Sequence, residues 1–250
     1  GQARQVALLG NAGQVEGRVT FAFEGMQRLR SAALAGDRLY AVAGRTLYMA
    51  DLNSEGEGCP AVNYDDRYLF DGVDLRQALA GFRMPFPNAG LHSRPRSFPG
   101  ARRLYRFGVH EGIDLYPGDA PNLDYGSAII SVADGVITRI DTDFAEITPE
   151  EYPEMVARIE QEHRTPPDIL DRLRGRQVYV EHGPGIEVRY CHLTDVPDAA
   201  VGDAVEQGEL VGTVGVSGTS SGVYGTRVGP HLHMEIWIHG RYLGHGLSIP

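Results

Sequence analysis

Lysine is absent from this chain of 250 residues, so all 23 basic residues are arginines. The absence excludes Walker-type phosphate loops and lysine Schiff-base catalysis. Basic charge is also in deficit overall, because 33 acidic residues bring the net charge to −10. This balance argues against non-specific binding to nucleic acid or to an anionic membrane surface.

Cysteine and long apolar runs are scarce too. Two cysteines, Cys59 and Cys191, exclude a disulfide-rich scaffold and leave a bridge between them undecided. Uninterrupted apolar stretches are only a few residues long, so we expect no membrane span. No signal peptide is visible, which says little about the compartment. The chain is nevertheless long enough to bury a sizeable core.

Glycine, by contrast, is abundant at 32 residues, and the many tight turns that it implies suit a mainly β protein. Near the N-terminus, Val19–Phe23 alternates as a half-buried strand does. The segments on either side of Gly44 predict a hairpin of Arg38–Val42 with Thr46–Ala50.

The proline-rich segment Met84–Gly90 breaks all periodicity, and we place a linker or domain boundary there. Residues 1–85 are predicted to form a small accessory β-rich region. Residues 86–250 are predicted to form a second domain built on an antiparallel sheet. The accessory region contains no histidine and no other candidate metal ligand cluster, so we expect it to supply none of the chemistry.

Alternating segments separated by turn sequences predict the second domain. Its predicted strands are Ala128–Val132, Gly135–Ile140, Gln177–Glu181, Ile186–His192, Glu209–Val214 and His231–Ile238. The Asp134-Gly135 dipeptide predicts that the first two of these strands form a hairpin. The turn sequence at residues 182–185 predicts the same for the next two strands.

Between the two hairpins, Thr142–Gly175 has a helical pattern. Thr148–Glu151 resembles a capping box, although Pro153 leaves the start of the helix open. A second short helix is predicted after Thr165 and should end at Gly175. We interpret Thr142–Gly175 as a helical insertion between two strands, which supplies no metal ligand.

Candidate chemistry begins with His110 and Asp114, on either side of Gly112. Both side chains suit zinc, but an extended strand would hold them about 13 Å apart, too far for one ion bound at about 2 Å. A bend at Gly112 would bring them together. The alternative is an unrelated pair of surface side chains.

A second candidate is His231-Leu232-His233, at the head of an apolar strand. Alternate residues of a strand point to one side, so the two imidazoles either address one site or are two exposed strand histidines. Glu235 lies on the same face. It is either a partner of these histidines or an ordinary strand residue.

The third candidate is His192, in the segment Tyr190–Leu193. Strand alternation places Tyr190 and His192 on one face and Cys191 on the other. A lone strand histidine is commonly structural, and Cys191 suits the core better than a zinc site. The remaining histidines are expected to be solvated: His92, His163, His182, His239 and His245.

Further short motifs accompany these candidates in a fixed order. The full series is Phe107-Gly108, His110–Asp114, Ser131–Ile137, Glu181–Gly183, Tyr190–Leu193, Val201–Asp203, Gly208–Gly212, Gly215–Gly218 and Gly229–Glu235. Over roughly residues 95–243 it resembles the lysostaphin-type (LytM-like) zinc metallopeptidases, peptidase family M23, which act on cell-wall peptidoglycan. The resemblance implies that His110, Asp114 and His233 bind Zn²⁺ and that His192 and His231 are catalytic.

The resemblance also implies a groove across an antiparallel sheet and a function as a zinc-dependent endopeptidase. Its expected substrates and partners are peptidoglycan stem peptides or cross-bridges, cleaved by a metal-activated water in the periplasm or outside the cell. We expect a monomer without nucleic acid or a membrane span. No H-E-x-x-H motif is present, which excludes the thermolysin arrangement.

Several alternatives remain at this point. The fold could serve an inert wall-binding or partner-activating module, or an endopeptidase that acts on a non-wall peptide. The chain departs from the usual family pattern at Thr142–Gly175 and around Val223–Val228, and both departures bear on substrate preference. In a latent form, an N-terminal segment would cover the groove and Asn88 would offer zinc a fourth ligand.

Overall fold

The structure is a computed structural model that describes residues 73–91 and 94–245 in full. Before residue 73 it describes only the backbone of strands. By backbone contacts the chain divides into two compact units, Gly1–Gln77 and Ala78–Pro250. The boundary that we place at residues 85 and 86 stays a prediction. Cys59, His92 and the last five residues lie outside the described part.

The first unit consists of antiparallel pairings. Its elements are β1 (Gln2–Leu9), β2 (Val15–Phe23), β3 (Leu29–Ala35), β4 (Arg38–Ala43), β5 (Thr46–Asp51), β6 (Leu69–Phe70), β7 (Val73–Asp74) and the start of α1 (Leu75–Ala78). Strand β1 pairs with β2, β3–β4–β5 form one sheet, and β6 pairs with β7. The predicted hairpin around Gly44 is therefore present as β4 and β5.

The second unit holds the remaining elements. They are β8 (Arg102–Arg103), β9 (Gly108–Val109), β10 (Ile113–Leu115), β11 (Ala128–Ile130), β12 (Gly135–Ile140), α2 (Glu151–Glu162), α3 (Pro167–Leu173), β13 (Arg176–Glu181), β14 (Ile186–Asp195), β15 (Ala204–Val205), β16 (Leu210–Val214), α4 (Ser220–Val223), β17 (Leu232–Ile238) and β18 (Arg241–Tyr242). Short 3₁₀ turns cover Pro95–Ser97 and Leu104–Arg106.

One antiparallel sheet of nine strands organises this unit, so the predicted mainly β class is confirmed. Its central order is β10–β17–β14–β13–β12–β15, and β16 joins β14 to β11. Strands β13 and β14 form the hairpin predicted at residues 182–185. No helix in the described residues is both long enough and apolar enough to cross a membrane.

The hairpin predicted at Asp134-Gly135 is wrong. Strand β11 pairs with β16, whereas β12 pairs with β13 and β15. The backbone of Gly135 lacks the positive φ that a tight hairpin turn of this kind requires. Glycine is needed there for another reason, because a Cβ would lie 2.6 Å from the Glu181 carbonyl oxygen on β13.

The core lies against one face of this sheet. Leu115, Val188, Tyr190 and Leu232 are fully buried in it, and the Tyr190 hydroxyl accepts a hydrogen bond from the Val132 amide at 3.0 Å. Burial of each large apolar side chain contributes about 1.5–3 kcal/mol. The opposite face of β14 and β17 is polar, and it carries the candidate site.

The helical insertion is present as α2 and α3. Thr148 and Glu151 form the predicted capping box, with reciprocal bonds of 2.8 and 3.1 Å, and Pro153 is accommodated within the first turn. Gly175, at φ +72°, follows α3. Any side chain there would collide with Ser217, whose carbonyl oxygen is 2.2 Å from the Cβ position, so the insertion is held tightly against the sheet.

Candidate metal centre

His110 and Asp114 meet His233 where β10 pairs with β17. Asp114 lies opposite His233 in the ladder, and the chain bends at Gly112 as predicted. A Cβ on Gly112 would lie 2.4 Å from the Met234 carbonyl oxygen and 2.9 Å from the His233 ring. Only glycine therefore lets the loop that carries His110 cross β17 this closely.

The three side chains present one atom each to a common point. His110 Nε2, Asp114 Oδ1 and His233 Nδ1 form a triangle with three edges of 2.8 Å. Ligands at about 2.0–2.2 Å around tetrahedral zinc lie about 3.4 Å apart, so a small outward shift accommodates the ion. All three residues are buried. Two imidazoles and a carboxylate are a donor set that fits zinc and leaves a fourth position open.

The other ring nitrogens fix the orientation of both imidazoles. His110 Nδ1 lies 3.1 Å from the Phe98 carbonyl oxygen, and His233 Nε2 lies 3.0 Å from Glu235 Oε1. These oxygens can only accept, so the N–H groups point to them and leave His110 Nε2 and His233 Nδ1 directed at the centre. Glu235 is thus the partner of His233.

A buried ion network lies behind His233. Glu235 is 1% exposed and accepts hydrogen bonds from Arg174 Nε at 2.7 Å and Trp237 Nε1 at 2.6 Å. Arg174 also donates to Glu111, and it follows the last turn of α3. The insertion therefore contributes no residue to the described His–Asp–His cluster, but it supplies the arginine that holds Glu235, the partner of His233.

The charges of the site favour a cation at its centre. Burial lowers the pKa of His110 to about 4. Burial also acts to lower the pKa of His233, but the Asp114 and Glu235 carboxylates outweigh it and raise that pKa to about 9. Burial would raise the pKa of Asp114, whereas the His110 and His233 imidazoles hold it well below its usual range. A proton on His233 thus occupies a place between two carboxylates that would also suit a metal.

His192 reaches the site through a β-bulge. Between Arg176↔Leu193 and Val178↔Tyr190, the ladder sets two residues of β14 against Gln177 alone. His192 takes the left-handed conformation there, at φ 62°. The expectation that His192 shares a face with Tyr190 is wrong, because the bulge turns its ring away from the core and into the cavity.

His231 lies beside His192, with ring centroids 4.8 Å apart. Its ring stacks on Tyr116 at 4.5 Å, and its Nε2 is 3.8 Å from Asp114 Oδ1. His192 Nδ1 and His231 Nδ1 lie 2.8 and 2.9 Å from the carbonyl oxygens of Ser217 and Gly229. Burial lowers the pKa of both histidines, so each is neutral near pH 7.

These five side chains open into one cavity of about 630 Å³. One wall comes from the segment of Arg96 to Arg106, and another from Tyr152, Leu170 and Leu173 of the insertion. The predicted groove is present, and the insertion borders it. Residues 218–220 also line the cavity, and they lie close to Val223–Val228, where the chain departs from the usual family pattern.

The other candidates lie elsewhere. Cys191 is fully buried beside Gln177 and is not part of the metal-binding cluster. His182 is half-buried against Phe82 rather than solvated. Asn88 is an exposed turn residue with φ 56° and is not among the residues that line the cavity, contrary to the latent arrangement.

A family model described as peptidase family M23 matches residues 108–244, more than half of the chain. The chain belongs to peptidase family M23. All five candidate residues lie inside the matched segment, and the predicted recognition is confirmed. A search of curated proteins finds no match.

Several solved structures are similar to this chain, with TM-scores below 0.5. The catalytic domain of the prophage-encoded M23 protein EnpA from Enterococcus faecalis is 20% identical with a TM-score of 0.38, covering 62% of this chain and 92% of that one. The catalytic domain of lysostaphin from Staphylococcus simulans is 18% identical with a TM-score of 0.35, covering 65% of this chain and 85% of that one. Csd3 from Helicobacter pylori is 18% identical with a TM-score of 0.37, covering 83% of this chain and 42% of that one. These likenesses concern the fold alone.

Sequence reasoning did not find Arg103, Arg174 or Tyr116 in the M23 site. Arg103 Nη2 lies 3.3 Å from Asp114 Oδ2. Each of the three lies outside the short histidine-centred motifs or carries no metal-ligand chemistry, so spacing gave no indication of it. Arg174 is brought to Glu235 from 61 residues away in the chain, a contact that only the fold reveals.

Proposed function

We propose that this M23 chain is a zinc-dependent endopeptidase that hydrolyses peptide bonds in the stem peptides or cross-bridges of peptidoglycan. One observation carries the proposal. A buried His–Asp–His triangle, with two more neutral imidazoles beside it, opens into a cavity of about 630 Å³. Inert modules of this fold need no such set.

His110, Asp114 and His233 would hold the zinc. When bound, the ion would carry one net positive charge beside this carboxylate, polarise the scissile carbonyl and lower the pKa of a water molecule towards about 7. Glu235 keeps His233 in the tautomer that binds through Nδ1, and the Phe98 carbonyl does so for His110.

His192 and His231 would handle the protons. Each donates its Nδ1–H to a backbone carbonyl, which leaves the lone pair of Nε2 directed into the cavity. A neutral imidazole in that orientation accepts a proton from the attacking water. Once protonated, it donates to the developing oxyanion or to the leaving amine. The two rings share these roles.

The M23 fold and its acidic composition support peptidoglycan rather than nucleic acid as the partner. We propose a monomer that acts in the periplasm or outside the cell. The inert wall-binding module and the endopeptidase on a non-wall peptide are the rival functions, and one experiment separates all three.

That experiment is mass spectrometry of purified peptidoglycan after incubation with the zinc-loaded chain. We expect new amino termini at one type of peptide bond, and none with His110→Ala as the matched control. Wall binding without cleavage would support the inert module instead. Cleavage of an unrelated peptide with an untouched wall would support the other rival.

A further inference from the structure

One wall of the cavity is strongly basic. The residues that line the cavity include five arginines against three carboxylates, namely Arg96, Arg102, Arg103, Arg106 and Arg174 against Glu111, Asp114 and Glu235. The chain as a whole has a net charge of −10. The local excess of positive charge is therefore a property of this cavity and not of the surface in general.

The three carboxylates already have partners. Glu111 and Glu235 are both paired with Arg174, and Asp114 belongs to the ligand triangle. Arg106 is buried and donates to the Val109 carbonyl at 2.5 Å. Charge neutralisation inside the cavity thus accounts for Arg174 and, through the 3.3 Å pair with Asp114, for Arg103, but it leaves Arg96 and Arg102.

Arg96, Arg102 and Arg103 lie together on the other wall of the cavity. Within residues 73–91 and 94–245, the exposed guanidinium groups of Arg96 and Arg102 have no ion-pair or hydrogen-bond partner. Arg103 is anchored by the Arg96 carbonyl oxygen at 2.9 Å and keeps 16% of its side chain exposed, next to Asp114. By contrast, Arg94 on the same segment is paired with Asp119 at 2.8 Å.

We infer that Arg96, Arg102 and Arg103 form a subsite for a carboxylate of the peptide substrate. The inference rests on the proposed function and narrows its substrate class. A guanidinium binds a carboxylate through two parallel hydrogen bonds, and it keeps its charge at every physiological pH. Because Arg103 touches Asp114, the carboxylate belongs to a residue close to the scissile bond. A peptide with a free carboxylate there is preferred over an uncharged glycine bridge.

The first test compares two forms of one substrate. Soluble muropeptides are used directly or after their carboxylates are converted to amides with a carbodiimide and ammonia. We expect the zinc-loaded chain to cleave the carboxylate form with about tenfold higher kcat/KM, the usual weight of a charge-assisted pair. In R96Q/R102Q this preference should fall to about threefold or less, mainly through KM. Arg83→Gln, an exposed arginine away from the cavity, is the matched control.

A second test measures binding without catalysis. Acetyl-D-alanyl-D-alanine and its C-terminal amide are titrated by NMR into the metal-free chain, so that the carboxylate cannot bind a metal. The acid should bind about tenfold more tightly, and R96Q/R102Q should remove most of the difference. Equal affinity for acid and amide, or a difference that survives in R96Q/R102Q, overturns the subsite.

The two tests together distinguish a failure of the proposed hydrolysis from a failure of the carboxylate subsite. If neither muropeptide form is cleaved while the acid is still preferred in binding, the proposed hydrolysis is wrong and the subsite stands. If both forms are cleaved equally and bind equally, the hydrolysis stands and the subsite is wrong.

Discussion

The two faces of the β14–β17 ribbon carry different kinds of side chain. One face pairs Val188 with Ile236 and Tyr190 with Met234, and it lies against the core. The other pairs Arg189 with Glu235 and Cys191 with His233. Side chains on one face of these two strands thus stabilise the fold, and those on the other face form the charged site. Substitutions on the first face should lower stability, whereas substitutions on the second should lower metal binding and turnover.

Removal of a proposed zinc ligand from the ionic face should have the largest effect. In His110→Ala, two protein ligands cannot hold zinc at stoichiometric occupancy, and turnover should disappear with the metal. Elemental analysis of the purified variant beside the parent chain measures the occupancy. Full zinc content in folded His110→Ala would contradict the ligand assignment.

His192 and His231, to which we assign proton transfer and not metal binding, should lose activity without losing zinc. His192→Ala and His231→Ala should each retain zinc and lose about 10²–10⁴-fold in turnover, because proton transfer loses its carrier. Steady-state kinetics with paired metal analysis provides the measurement. Hydrolysis at the parental rate by either variant would remove that histidine from the mechanism.

A substitution on the core face should act on stability. Tyr190→Ala should cost about 3–5 kcal/mol of unfolding free energy, since it leaves a cavity and removes the partner of the Val132 amide. The free energy is measured by urea denaturation of the full chain. Tyr190→Phe, which removes only the hydroxyl, is the control and should cost about 1–3 kcal/mol. An equal loss in both variants would assign the whole effect to the hydrogen bond.

The network behind His233 should have a smaller effect on metal affinity. Glu235→Gln and Arg174→Gln should weaken zinc binding by about 10–100-fold, because His233 loses its fixed tautomer and orientation. Competition with a chromogenic chelator measures the affinity. Arg158→Gln, on the outer side of α2 and paired with Glu162, is the matched control. Unchanged affinity in both network variants would make the network structural only.

The last prediction concerns pH, and its effect is about tenfold for each pH unit. Because the pKa of His233 is raised to about 9 in the metal-free chain, zinc must displace a proton from it below that pH. The pKa of His110, lowered to about 4, adds no such dependence above pH 5. Apparent zinc affinity should therefore rise about tenfold per pH unit from 6 to 8. The release of one proton is checked by calorimetry in buffers of different ionisation enthalpy. A zinc affinity that stays constant from pH 6 to pH 8 would contradict the prediction.

Much of both faces could be predicted from the sequence. Alternation identified the strands, and the order and spacing of the histidine motifs identified the family and the five residues that converge. The bend at Gly112 followed from the need to bring His110 to Asp114. These features depend on local spacing, which a sequence displays directly.

Other features depend on contacts between distant segments. The pairing of β11 with β16 and the link from Arg174 to Glu235 join residues far apart in the chain. The bulge at His192 reverses strand alternation without any glycine or proline to mark it. The Asp134-Gly135 dipeptide matched a turn pattern, although Gly135 is required by the close approach of β13.

The left-handed backbone of His192 also places a trade-off at a single position. A non-glycine residue in that conformation costs about 1–2 kcal/mol, and glycine would relieve it. A laboratory population selected only for heat resistance would therefore tend to accumulate His192→Gly. Heat resistance would rise with that substitution while turnover would fall, because the imidazole is lost. Selection for a thermostable and active protein would therefore have to include a screen for activity.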